Sequence, residues 1–129
     1  MKSISILFLL FTVAFSAQTD SKIYDIIEAV SAERIKSDVK TLTEFGTRNT
    51  FSDTISNTQG IGAARRWIKS EFETISKACD NCMEVFYQKD FVTKKENIRV
   101  PHDAWIVNVV AVQKGTKYPN RYVIMSGDI

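Results

Sequence analysis

Residues 60–79 read GIGAARRWIKSEFETISKAC, and this stretch decides the fold. Its apolar residues recur at intervals of three and four, which places them on one face of a helix. They are Ile61, Ala64, Ile68, Phe72, Ile75 and Cys79. The charged residues fall largely off that face and are interpreted as solvated surface; they are Arg65, Arg66, Lys69, Glu73 and Lys77. After this helix the pattern changes to alternation, so a helical region is followed by a β region.

Two shorter helical patterns precede residues 60–79. The first apolar stripe is Ile23, Ile26, Ile27 and Val30, and the second is Ile35, Val39, Leu42 and Phe45. Ser31 lies between them and is a suitable N-cap for the second helix. Gly46 follows the second stripe and can end that helix in the left-handed conformation. Residues 46–60 are polar and follow neither period, which predicts a loop.

Three strands are predicted after the helices. Alternation over residues 85–91 predicts a half-buried strand. Residues 105–112 are apolar on both pleat faces apart from Asn108, which is typical of a central strand. Residues 122–125 are another apolar run, and the short connection over 114–120 requires this third strand to run antiparallel to the second.

The N-terminus has the three parts of a secretory signal peptide. Lys2 gives a positive start, an apolar run covers residues 4–15, and small residues allow cleavage near Ser16 or Ala17. The apolar run is shorter than the ~20 residues that a membrane-spanning helix needs. We therefore expect residues 1–17 to be removed and residues 18–129 to be secreted or periplasmic, without a membrane partner.

Length and charge exclude some functions and suggest an incomplete domain. The 129 residues carry 17 Lys and Arg against 15 Asp and Glu, a net charge of +2. So little positive charge does not predict binding to nucleic acid. A strand that is apolar on both faces needs a layer on each side, and natural sheets avoid an uncovered apolar edge. The chain is therefore expected to be the first part of a larger α/β domain.

Cys79 and Cys82 form a C-x-x-C motif with three possible roles. A redox role is disfavoured because the motif follows a helix, whose C-terminal end disfavours a thiolate. A zinc role needs two further ligands, for which only His102 and scattered carboxylates are available. A structural disulfide fits an exported chain best. His102 itself lies in a predicted loop without a catalytic partner and is interpreted as a surface residue.

Asp128 is the candidate metal ligand. It follows the predicted strand over residues 122–125, and ligand sites of open α/β sheets lie beyond the carboxyl ends of strands. Aspartate oxygen is an acceptable zinc ligand. One carboxylate does not make a site, however, and an ordinary Gly-Asp turn is the alternative interpretation.

Four segments, taken in order, carry a family resemblance. They are Gly46-Thr47-Arg48, IGAARRWI over residues 61–68, NVVAVQKG over 108–115 and VIMSG over 123–127. Their order and spacing resemble the start of the bacterial leucyl aminopeptidase-like zinc exopeptidases, the family twenty-eight metallopeptidases. The resemblance covers roughly residues 42–129 and is strongest around the Asn-Val-Val-Ala strand and the Lys-Gly turn.

The resemblance implies an α/β fold, the N-terminal part of a three-layer α/β/α sandwich with a mixed sheet. It implies peptide or protein substrates and two zinc ions, with a bridging water activated by the metals and a glutamate base. The first metal segment of that family is Gly-His-x-Asp-Ser. Gly127 matches its glycine, Asp128 replaces its zinc-binding histidine, and Ile129 is its variable residue. The remaining ligands follow later in the family, so residues 1–129 alone are expected to be inactive.

Three hypotheses of function follow. The first is an exported metallo-aminopeptidase, represented here by its N-terminal fragment. The second is a non-catalytic relative that acts as a binding or scaffold module. The third is a free-standing exported binding domain, which requires residues 18–129 to fold cooperatively by themselves.

Overall fold

The computed structural model describes residues 20–96 and 99–129. Within these ranges the elements are α1 (Ser21–Glu28), α2 (Ala32–Glu44), α3 (Gly60–Ala78), β1 (Met83–Val92) and β2 (Ala104–Gln113). The predicted α/β class, with helices first and strands after them, is confirmed. The predicted signal peptide at residues 1–17 lies outside the described residues.

The chain divides into two units, residues 1–36 and 37–129, which are described separately. In the first unit, α1 begins at Asp20, whose carboxylate accepts a hydrogen bond from the Lys22 amide at 3.0 Å. No residue of α1 is buried, and Ile26 of its apolar stripe is 68% exposed. The helix therefore forms where the pattern predicts it. Its apolar face is exposed because residues 20–36 include no sheet on which it could pack.

The predicted ends of α2 are both present. The Ser31 hydroxyl accepts a hydrogen bond from the Arg34 amide at 3.1 Å, so Ser31 is the N-cap. Gly46 has φ +69°, and its amide bonds to the Thr43 carbonyl at 3.1 Å. The Arg48 guanidinium also donates to the Gly46 carbonyl at 3.1 Å. Local signals in the sequence thus fix both ends of this helix.

In the second unit, α3 packs on one face of an antiparallel β1–β2 hairpin. The register runs from Met83 opposite Gln113 to Val92 opposite Ala104. The buried Ser76 joins helix to sheet, because its hydroxyl donates to the Met83 carbonyl at 2.9 Å and accepts from the Met83 amide at 3.1 Å. The hydrophobic core of the described residues consists of Ile61, Ala63, Ala64 and Val100.

The prediction of a third strand at residues 122–125 is wrong. Tyr122 to Met125 form no regular structure, and their exposed fractions run from 78% to 93%. Apolar composition favours a strand, but a strand forms only when its backbone pairs with a neighbour. Among the described residues only β1 and β2 pair, so the antiparallel pairing lies between these two strands and not between β2 and residues 122–125.

Within residues 20–96 and 99–129, no helix combines the length and the apolar character that crossing a bilayer demands.

Candidate functional site

The loop before α3 closes the N-terminal end of that helix. The Ile61 amide donates to the Ser52 hydroxyl at 3.0 Å, and the Gly62 amide donates to the Asp53 carbonyl at 3.0 Å. These amides belong to the first turn of the helix, where the N–H groups have no carbonyl partner within the helix itself. Because the loop supplies the acceptors, these two amides are not available to an anion from solvent.

The same loop is held by two charged side chains. The Arg66 guanidinium donates to the carbonyls of Thr54 at 3.1 Å and Ile55 at 3.3 Å, and also to that of Ser56. The Asp53 carboxylate accepts from the amides of Ile55 at 2.7 Å and Ser56 at 2.8 Å. Both charged side chains therefore form hydrogen bonds with the backbone of the loop.

Asp53 is expected to make the stability depend on pH. Hydrogen bonds from the Ser56 and Ile55 amides, with a smaller effect of the Arg66 charge, hold the pKa of Asp53 below its ordinary value of 3.8. A lowered pKa stabilises the fold above the unfolded-state value and loses this contribution as pH falls through the folded-state value. We expect the free energy of unfolding of the wild type to fall more steeply below about pH 4 than that of Asp53→Asn.

Urea unfolding of both proteins from neutral pH down to about pH 2.5 measures this difference. The introduced asparagine keeps a side-chain acceptor but lacks the titrating charge, so the comparison isolates the contribution of the carboxylate. Parallel pH profiles of the two proteins would contradict the role assigned to Asp53.

A groove of about 1380 Å³ lies beside this loop and is the candidate site. We call it the α3–hairpin groove. It is lined by loop residues 50–56, by Arg65 of α3, and by residues of both strands. The strand residues and their neighbours are Tyr87, Lys89, His102, Asp103, Ala104, Trp105 and Val107.

Arg65 is the functional candidate that the sequence analysis missed. Its interpretation as solvated surface is wrong, since the residue is only 8% exposed. Burial lowers the pKa of Arg65, while the nearby Tyr87 acts in the opposite direction. The signal was present in the sequence: Ile61, Arg65, Ile68 and Phe72 are spaced by four, three and four, so Arg65 shares the helical face that packs inward.

His102 lines the groove and is exposed, as predicted. Its Nδ1 is 3.1 Å from the Asp103 carbonyl oxygen, and its ring meets the Phe51 ring edge-on at 5.3 Å between centroids. The Asp103 carboxylate accepts from the Lys94 amide at 2.8 Å. The contacts of His102 with the Asp103 carbonyl and the Phe51 ring do not supply the partner that a catalytic base requires.

Cys79 and Cys82 are joined by a disulfide in the structure. Asp80 and Asn81 between them adopt positive φ values of 57° and 59°, a conformation that Asp and Asn tolerate better than most residues. The Asn81 amide bonds to the Ser76 carbonyl at 2.8 Å and closes the turn after α3. In this state neither sulfur is a thiolate that could bind zinc.

Asp128 is exposed and lies in the irregular segment after β2. Over the part of the chain that the structure describes, no three His, Cys, Asp or Glu side chains come together in a way that could hold a metal ion. The described residues therefore do not make a zinc site, and Asp128 is a single isolated candidate ligand. Among the described residues, Asp128, His102 and the two cysteines form no such group.

Comparison with known proteins points to metalloproteases of fungi. Over 108 residues the chain is 36% identical to a probable zinc metalloprotease of Pyrenophora teres f. teres, covering 84% of this chain and 22% of the relative. It is 35% identical to one of Leptosphaeria maculans, with 84% and 25% covered, and 36% identical to one of Pyricularia oryzae, with 84% and 21% covered. The chain thus spans about a quarter of the length of these curated relatives. No protein-family model and no solved structure matches it.

Proposed function

We propose that this chain is the N-terminal part of an exported, zinc-dependent aminopeptidase that acts on peptide or protein substrates. The observation that carries the proposal is the similarity of 84% of the chain to several proteins named probable zinc metalloprotease. The aminopeptidase class rests on the segments that resemble the leucyl aminopeptidase-like exopeptidases. The other zinc ligands would come from sequence that corresponds to the remaining length of the relatives.

Asp128 is the candidate zinc ligand in this proposal, because the resemblance places it where those exopeptidases carry a histidine ligand.

The test is hydrolysis of leucine p-nitroanilide by protein expressed from the complete reading frame. We expect hydrolysis that is abolished by a chelator and restored by zinc. N-acetyl-leucine p-nitroanilide is the matched control, because an aminopeptidase requires a free amino group and leaves this substrate intact. Hydrolysis of both substrates would support a zinc peptidase of another specificity. Absence of activity with zinc restored would favour a non-catalytic binding or scaffold module.

A further inference from the structure

We draw no further inference here: the strongest candidate, the exposed apolar face of α1 formed by Ile23, Ile26 and Ile27, is an unpartnered helix face, and nothing in the part of the chain that the structure describes shows what covers it.

Discussion

Replacing Gly62 with alanine is expected to destabilise the second unit by about 3 kcal/mol or more. A Cβ at this position would lie 2.6 Å from the Thr54 Cα and closer still to the Thr54 carbonyl carbon and oxygen. These are backbone atoms, so no side-chain rotation relieves the overlap. The loop would have to move, and the Arg66 bond to the Thr54 carbonyl would be lost with it. Because domains are stable by only about 5–15 kcal/mol, this is a large fraction of the total.

Gly127→Ala is the matched control for Gly62→Ala, because nothing lies within 4 Å of the position where its Cβ would be. We expect the free energy of unfolding of Gly127→Ala to lie within about 0.5 kcal/mol of the wild-type value. Urea unfolding followed by circular dichroism measures both variants. Equal midpoints for Gly62→Ala and wild type would show that the loop does not pack against α3 in the way described.

Replacing Asp128 with alanine in the complete polypeptide is expected to reduce zinc content and to lower peptidase activity at least about 100-fold. The expectation rests on the proposed function, in which Asp128 takes the position of a histidine ligand. Removing even an outer partner of a metal ligand typically costs about 10- to 100-fold, and a direct ligand contributes more. Atomic absorption measures the bound zinc, and leucine p-nitroanilide hydrolysis measures the activity.

Two further variants make the Asp128 experiment decisive. Asp128→His supplies an imidazole ligand, which suits zinc, and is expected to retain or raise zinc content. Asp90→Ala removes an exposed carboxylate of β1 and is expected to change neither zinc nor activity. If Asp128→Ala keeps full zinc and full activity, Asp128 is an ordinary turn residue and the metal site lies elsewhere.

Local signals in the sequence predicted much of the fold. The Ser31 cap, the left-handed Gly46 and the helical period of residues 60–79 act within a few residues, and all three correspond to observed elements. The alternation over residues 85–91 also predicts a strand that is present as β1. These features depend on backbone conformation and on side-chain spacing, which a single sequence contains.

Features that need a distant partner were not predictable in the same way. The apolar run from Tyr122 to Met125 specifies no neighbour with which to pair, and it forms no strand here. Arg65 was assigned to solvent by its charge, although its spacing places it on the inward face. The candidate zinc ligand, Asp128, follows residues 122–125, which were predicted to be a strand and are irregular. Its place in the sequence therefore did not predict which other ligands lie near it, and no metal-binding group forms among the described residues.

The side-chain hydrogen bond from Asn108 to Gln88, at 2.7 Å, has a consequence for how the hairpin aligns. Because β2 is apolar on both faces, shifting it by one residue would exchange one apolar face for another, and burial alone would penalise the shift little. Asn108 is the one polar side chain within residues 105–112, and it lies directly opposite Gln88. A slipped alignment would separate the two amides and leave each without the other as a partner. Because both side chains are exposed, water replaces the lost bond, and the pair favours the observed alignment by only the roughly 0.2–1 kcal/mol of a cross-strand pair.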